Sequence, residues 1–223
     1  MFKKIFLGAA IGIMAVFSLA AQDDAKQSID ADQSYAFGVL MGLDMLQFNL
    51  EFNYDGFMRG FKDAMNKSSK TDEKAATEIV RKILDESTER LAKANLENGK
   101  KILAENGKRV GVKTTESGLQ YEVITQGNGD KPDAESVVRV DYEGALTDGT
   151  VFDSSYKRGQ PAEFGLNQVI PGWSESVRLM TVGSKYKVWI PSDLAYGPEG
   201  AGNGAIPPNS VLIFNIELLD IIE

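Results

Sequence analysis

Residues 196–210 read YGPEGAGNGAIPPNS, with four glycines and three prolines between two apolar stretches. Glycine-rich loops that bind phosphate lead directly into a helix, and the Walker form carries a Lys-Ser/Thr pair there. This loop has no lysine and leads into the strand-like run VLIFNIELLDI, so the phosphate hypothesis fails. The remaining alternatives are an ordinary connection and the rim of an apolar site, to which Tyr196, Ile206 and two stiff prolines would contribute.

The composition of the chain narrows the chemistry further, because its 223 residues include no histidine and no cysteine. Their absence excludes Cys-His and Ser-His-Asp nucleophilic catalysis, zinc sites with Cys or His ligands, and histidine as a general base. No cluster of acidic residues has the spacing of a metal site, so we predict neither metal nor cofactor. The net charge of −8 argues against nucleic-acid binding, which depends on neutralising phosphates with Lys and Arg.

Three motifs occur in order in the C-terminal half: VDYEGALTDGTVFDSS at 140–155, VIPGW at 169–173, and AYG followed by IPPN at 195–209. Together they resemble the signature of the FKBP-type peptidyl-prolyl cis-trans isomerases. The segment AENGKRVGVKTTESGLQY at 104–121 and the helical stretch before it resemble the periplasmic, dimeric members of the macrophage infectivity potentiator type. The resemblance covers nearly all of the chain after residue 21.

The resemblance implies an apolar pocket that binds proline, and it assigns residues of this sequence to that pocket. Those it implies as catalytic are Tyr142, Phe152, Asp153, Tyr196 and Phe214. Those it implies in substrate binding are Val169, Ile170, Trp173, Ile206 and Arg158, the last of which matches an arginine that helps to hold the aspartate. Ala162 stands where many members have a bulky aromatic residue, which opens one wall and weakens the expectation that macrolide inhibitors bind tightly.

These residue types suit the rotation of an X-Pro bond, which amide resonance opposes with a barrier of about 18–20 kcal/mol. A pocket that removes water from the planar amide favours the twisted state, and no nucleophile is required. Asp153, Tyr196 and the backbone N–H of Ile170 are the polar groups available to hold the carbonyls. General acid catalysis is the alternative, but no residue is an obvious proton donor to the amide nitrogen.

The elements that must position these residues have a strand period from residue 118 onwards. The runs LQYEVITQG, SVVRVDYEGAL, KYKVWIP and VLIFNIELLDI alternate or are apolar throughout, and PGWSESVRLM supplies one short helix. The pattern predicts an α+β domain, with an antiparallel sheet wrapped around that helix. The resemblance implies the same FKBP-like fold, with five or six strands.

The N-terminal part is predicted to be helical. Residues 34–66 form two short helices rich in Phe and Met, which are too small to enclose a core, so their apolar faces predict a homodimer. Residues 71–109 predict a long, mostly solvated helix of about 58 Å, capped by Thr71 or Asp72, with Gly99 and Gly107 as points of bending. We expect a helical dimerisation domain at 22–70, a connecting helix at 71–110 and an isomerase domain at 111–223.

The first 21 residues combine a basic start, MFKK, with the apolar run IFLGAAIGIMAVFSLA and small residues at the end. This order predicts a cleaved signal peptide, the alternative being a retained membrane anchor. We therefore expect a protein of the periplasm or cell surface that is not inserted in a membrane. Its partners would be a second copy of the chain and proline-containing polypeptides that are unfolded or partly folded. The rival hypothesis is a non-catalytic chaperone that binds unfolded chains in the dimer cleft.

Overall fold

The computed structural model describes residues 28–46, 48 and 50–222, which divide into two compact units on either side of the Ser87–Thr88 bond. The predicted signal peptide lies outside the described residues. The first unit is helical, and the second contains the rest of a long helix and an antiparallel sheet. The predicted α+β class, with helices first and an FKBP-like sheet after them, is confirmed.

The first unit contains helix α1 (Ala31–Leu46), helix α2 (Tyr54–Met65) and the beginning of helix α3 (Glu73–Asn106). Helix α1 begins three residues earlier than predicted, because Asp30 and Gln33 form a capping box with hydrogen bonds of 2.8 and 3.1 Å. Asn53 caps α2 through a 2.7 Å bond from the Gly56 N–H. Asp72, one of the two predicted caps, accepts from Ala75 N–H at 2.8 Å to begin α3.

Helices α1 and α2 leave their apolar side chains in solvent. Neither helix contains a buried residue, and Tyr35, Leu43 and Met65 are each more than half exposed. Both helices line a groove of about 1160 Å³ whose walls are mostly apolar. Small units bury too little apolar surface to be stable without support, so this unit has an unsatisfied face.

The sheet of the second unit has the strands β1 (Val112–Thr114), β2 (Gln120–Thr125), β3 (Val137–Ala145), β4 (Val151–Ser154), β5 (Ala162–Gly165), β6 (Lys185–Ile190) and β7 (Leu212–Ile221). It is antiparallel throughout, in the order β1-β2-β6-β7-β3-β4, with β5 also paired to β3. The described part therefore has seven strands rather than five or six, because β1, β4 and β5 are short separate segments. Helix α4 (Ser155–Arg158) follows β4, and helix α5 (Pro171–Arg178) packs on the core.

The core of this unit is built from the alternate residues of the long strands and one side of α5. Val138, Val140, Val188, Ile216 and Leu218 are fully buried, as the period of two predicts. Helix α5 can approach the sheet because Gly172 has no side chain: a Cβ there would lie 2.3 Å from Ile190 Cγ2. The short helix is thereby pressed into the core, which positions its tryptophan.

The C-terminal half of α3 belongs to the second unit and is less solvated than predicted. A bend at Gly99 stays a prediction; α3 continues as a helix through this residue, which is buried beside Val211. The helix ends at Asn106, three residues before the predicted end. There the buried Asn106 donates to Gln120 Oε1, while Gln120 donates to Leu103 O, each at 2.8 Å. Amide hydrogen bonds therefore connect the helix end to strand β2.

Replacing Gly99 by alanine should destabilise the second unit by about 1–2 kcal/mol, although alanine normally stabilises an open helix by about 1 kcal/mol. The new Cβ would lie 2.8 Å from Val211 Cγ2, and a buried β-branched valine has little freedom to move away. Urea unfolding followed by the fluorescence of Trp173 and Trp189 measures this unit. Gly60→Ala in α2, where a Cβ meets nothing within 4 Å, is the control in circular dichroism. An equal gain in stability from alanine at Gly99 and at Gly60 would contradict the expectation.

Candidate active site

Strands β4 and β7, which flank β3, bring two aromatic rings together across it. Gly144 on β3 pairs with Asp153 on β4 and with Phe214 on β7. A Cβ at Gly144 would lie 2.6 Å from Phe214 and 2.7 Å from Phe152, so only glycine leaves room for both rings. Phe152 and Phe214 meet edge to face with centroids 5.6 Å apart. Gly144, which was not among the predicted site residues, therefore provides the space that the Phe152 and Phe214 rings occupy.

Trp173 of helix α5 forms the buried centre of the cluster, with 4% of its surface exposed. Its ring meets Phe164 at 5.3 Å, Tyr142 at 5.8 Å and Phe214 at 6.3 Å between centroids, each nearly perpendicular. Such edge-to-face pairs contribute about 0.5–1.5 kcal/mol each beyond the burial of their area. Trp173 is thus fixed in orientation by three neighbours.

Val169 and Ile170, which immediately precede α5, are partly buried and pack against this cluster. Ile170 is the N-cap residue of α5 in an extended conformation, and Pro171 begins the helix, where a missing N–H costs nothing. Among the described residues, the Ile170 N–H donates to no protein acceptor. The loop before α5 thus carries an available donor beside apolar side chains.

An ion-pair network borders the aromatic cluster. The Arg158 guanidinium donates to Asp153 Oδ1 and, at 2.9 Å, to Tyr142 Oη, while that hydroxyl donates to Asp153 Oδ2. The guanidinium carbon also lies 5.4 Å from the centroid of the Tyr142 ring. The three predicted residues therefore form one closed network.

The network sets the charges at this edge of the site. Partial burial acts to raise the pKa of Asp153, but hydrogen bonds from Tyr142 and Arg158 and the positive charge of Arg158 outweigh it, so the pKa lies below its ordinary value. Burial and the bond to Asp153 raise the pKa of Tyr142, and the bonds to Tyr142 and Asp153 raise that of Arg158. At neutral pH the carboxylate is charged and the phenol is not.

Helix α4 returns Arg158 to the aspartate five residues before it. Ser154 caps this single turn by accepting from Lys157 N–H at 3.4 Å, and Gly159 ends it with φ of 75°. The fully buried Ser155 accepts from Tyr142 N–H at 2.9 Å and donates to Asp141 Oδ1 at 2.8 Å. Ser155 therefore fixes the turn to the strand that carries Tyr142.

Residues 196–209, the rim loop, contain two 3-10 turns, at Gly197–Glu199 and Gly202–Gly204. Ala201 and Ile206 exchange backbone hydrogen bonds of 2.9 and 3.0 Å across the loop. Gly200 has φ of 62°, and a Cβ there would lie 2.3 Å from Ile206 O. The glycines thus serve a tight backbone fold that places Ile206 in the core cluster.

The structure brings together nine of the ten predicted residues. Seven of them join the core cluster: Tyr142, Phe152, Val169, Ile170, Trp173, Ile206 and Phe214. Tyr142 also links this cluster to Asp153 and Arg158. Tyr196 lies outside that cluster, with 41% of its surface exposed. Phe164 was missed, although it lies two residues after Ala162 on the same face of β5. The alternation in AEF could have identified it.

Two further features concern only the residues that the structure describes, 28–46, 48 and 50–222. Within them no group of three or more acidic residues is arranged to hold a metal ion. Likewise, no helix in these residues is both long and apolar enough to cross a membrane.

Comparisons with known families match two parts of the chain. Residues 129–219 match the model of the FKBP-type peptidyl-prolyl cis-trans isomerases, and residues 30–123 match the model of the domain amino terminal to that isomerase. The two matched ranges cover both units.

Individual relatives are similar over most of their length. The FKBP-type peptidyl-prolyl cis-trans isomerase FkpA of Aeromonas hydrophila is 44% identical over 91% of this chain and 80% of its own. The outer membrane protein MIP of Legionella longbeachae is 36% identical over 98% and 97%, respectively. The crystal structure of FkpA from Escherichia coli aligns with a TM-score of 0.67 and 35% identity, over 88% of this chain and 98% of that one.

The activity of the site should be constant between about pH 6 and 8, because the chain has no histidine and the pKa values of Asp153 and Tyr142 are shifted away from neutrality. The rate constant on an X-Pro peptide, measured across this range, tests the expectation. A bell-shaped profile centred near neutrality would contradict it.

The contribution of Asp153 to the free energy of unfolding should depend on pH. Because its folded pKa is lowered, this contribution is fully present above the ordinary Asp pKa of about 3.9 and is lost as pH falls through the lower folded value. Urea unfolding at several pH values should show Asp153→Asn less stable than the original chain at neutral pH, with the difference shrinking below about pH 4. A difference that grows in acid would exclude this linkage.

Proposed function

The chain belongs to the FKBP-type peptidyl-prolyl cis-trans isomerases and catalyses the isomerisation of X-Pro bonds, and we propose that it does so by stabilising a twisted amide in the pocket around Trp173. Its substrates are proline-containing polypeptides that are unfolded or partly folded. Uncatalysed isomerisation takes tens of seconds or longer, which is slow enough to limit their folding.

The observation that carries this mechanism is the aromatic cluster. The prolyl ring lies against Trp173, between Phe152, Phe214 and Ile206, and is separated from water there. A planar amide is more polar than a twisted one, so removing water raises the free energy of the planar state relative to the transition state. This requires shape and dryness rather than a nucleophile, in agreement with the residue types present.

Polar groups at the edge of the pocket hold the carbonyls of the substrate during rotation. The Ile170 N–H, which has no acceptor in the described part of the chain, donates to one carbonyl, and the Tyr196 hydroxyl donates to another. The negative charge of the Asp153 carboxylate interacts electrostatically with the twisting amide. Hydrogen bonds from Arg158 and Tyr142 hold this carboxylate in place. A carboxyl with a lowered pKa is a poor proton donor at neutral pH, which disfavours general acid catalysis.

Two tryptophans offer a matched test of the pocket. Trp173 and Trp189 are equally buried, at 4% exposure, but Trp189 packs beside Arg109 and Lys187, away from the aromatic cluster. Trp173→Phe should lower kcat/KM on an X-Pro peptide about tenfold, equivalent to 1.4 kcal/mol of lost transition-state stabilisation. Trp189→Phe should leave kcat/KM unchanged even if it lowers the melting temperature. Equal losses of activity in the two variants would refute the pocket mechanism.

A homodimer forms through the first unit in this proposal. The apolar groove between α1 and α2 is occupied by the same helices of a second copy, since a self-complementary face is the simplest cover for exposed Phe, Met and Leu side chains. Two isomerase sites on one assembly raise the effective concentration of active sites along a long unfolded chain, but not along a tetrapeptide.

Deleting residues 22–70 should therefore separate two activities. Isomerisation of a tetrapeptide should change less than twofold, because the site lies in the second unit, whereas proline-limited refolding of a whole protein should slow about tenfold or more as avidity is lost. Light scattering should show a monomer. If both assays are unchanged, the first unit contributes nothing to substrate handling.

The chaperone alternative rests on the same flexible Met-rich groove, and gains support if Trp173→Phe still suppresses client aggregation.

Export completes the proposal. The order of basic, apolar and small residues over positions 1–21 supports a signal peptide cleaved after Ala20 or Ala21. Action in the periplasm or at the cell surface follows, where newly exported chains must fold. The name of the Legionella longbeachae relative, an outer membrane protein, agrees with this location.

A further inference from the structure

Two asparagines join helix α3 to the rim loop inside the second unit. Asn95 Nδ2 donates to Pro208 O at 2.8 Å, and Asn209 Nδ2 donates to Ala92 O at 3.1 Å. The two bonds run in opposite directions, one from helix to loop and the other from loop to helix. They connect residues separated by more than one hundred positions in the sequence.

Asn209 also joins the two ends of the rim loop. Its φ of 54° lies in the left-handed region, which asparagine tolerates better than most residues. In this conformation its backbone N–H donates to Gly197 O at 2.8 Å, next to Tyr196, while its side chain reaches the helix. One residue therefore fixes both the beginning and the end of the loop to α3.

Besides these bonds, the rim loop is held by the buried Ile206 side chain and by backbone bonds within the loop. Pro207 and Pro208 lack N–H groups and cannot extend a strand ladder, and the only bridge in the loop is the pair Ala201–Ile206. The carbonyls of both prolines are nevertheless bonded, Pro207 O by Ser210 Oγ at 2.7 Å and Pro208 O by Asn95. The segment directly after Ile206 is thus held by side-chain donors.

Helix α3 packs closely on Val211 through Gly99, but its packing on the rim loop itself is incomplete. A groove of about 290 Å³ lies between α3 and the two neighbouring loops, lined by residues that include Asn98, Leu146, Thr147 and Pro207. Where the surfaces are separated by such a space, the directional amide bonds determine the loop position.

We propose that Asn95 and Asn209 are positioning residues of the isomerase, which act through Pro208 and Gly197 to hold Ile206 and Tyr196 at the pocket. The inference rests on the proposed function in one respect, the use of Ile206 and Tyr196 to contact substrate. It assigns the turn of α3 that contains Ala92 and Asn95 to the active-site apparatus, beyond a connecting role. Breaking either bond leaves the aromatic cluster intact and loosens only the rim.

The test uses the full chain, with two isosteric Asn→Asp variants and one glycine variant. Asn95→Asp removes the donor to Pro208 O, and Asn98→Asp places the same charge three residues further along the same groove, where Asn98 forms no side-chain hydrogen bond within the described residues. Asn209→Gly removes the side-chain donor while keeping a residue that accepts a positive φ. Circular dichroism at the assay temperature establishes that every variant is folded.

Asn95→Asp and Asn209→Gly should each lower kcat/KM on an X-Pro peptide about fivefold, mainly by raising KM, which is the scale of one hydrogen bond. The double variant should lose less than the product of the two, because both bonds hold one loop. Amide hydrogen exchange at Ile206 and Asn209 should accelerate in the same proportion, with strands β6 and β7 unchanged. Asn98→Asp should resemble the original chain in all three measurements.

Two results would overturn the inference. One is a loss of kcat/KM in Asn98→Asp equal to that in Asn95→Asp, which would assign the effect to charge. The other is a lower melting temperature in Asn95→Asp and Asn209→Gly with unchanged kcat/KM and unchanged exchange at Ile206, which would leave the bonds a purely structural role. If the original chain failed to isomerise the peptide, the proposed function would fall, and the exchange experiment would still decide whether these residues fix the loop.

Discussion

The packing of Trp173 against three perpendicular rings is the interaction on which the second unit depends. The same indole is part of the buried core and the centre of the site, so the stability of the fold and the shape of the pocket are not independent. Two glycines make this arrangement possible: Gly172 lets α5 approach β6, and Gly144 leaves space for Phe152 and Phe214. A side chain at Gly144 would collide with both phenylalanine rings, and one at Gly172 would collide with Ile190 and push α5 away from β6.

Much of this unit could be predicted from the sequence, because period-two alternation identifies long half-buried strands and the motifs identify the polar and aromatic side chains. Phe164 was missed although it shares a face with Ala162, because β5 has only four residues and its alternation is weaker evidence than that of the long strands. Gly144 and Ser155 were missed for another reason. Their roles depend on atoms brought near by the fold, namely two rings across the sheet and the N–H of Tyr142. Spacing along the chain carries no signal for either contact.

Helix α3 shows the same limit from the opposite direction. Apolar residues become sparse after Leu91, and hydrophobic periodicity therefore predicts a solvated rod. The helix is instead attached through amides, with Asn95 and Asn209 at the rim loop and Asn106 and Gln120 at β2. Asparagine and glutamine count as polar in any hydrophobic pattern, although both Asn106 and Gln120 are buried here. Attachment by hydrogen bonds is thus invisible to the pattern that locates apolar contacts.

The aromatic cluster around Trp173 is held by apolar contacts and the rim loop largely by hydrogen bonds. This difference explains how a rigid cluster can lie beside an adjustable loop. Dispersion and burial act over the whole aromatic cluster, so Trp173 can move only if many contacts are lost together. Apart from the buried Ile206, the rim loop depends on a few directional bonds, each worth about 1 kcal/mol net, and can open locally at a cost below that of unfolding. In the proposed mechanism, a polypeptide substrate enters and leaves while its proline is held against a fixed surface. A fixed aromatic cluster beside a loop that a few amide hydrogen bonds hold meets both requirements.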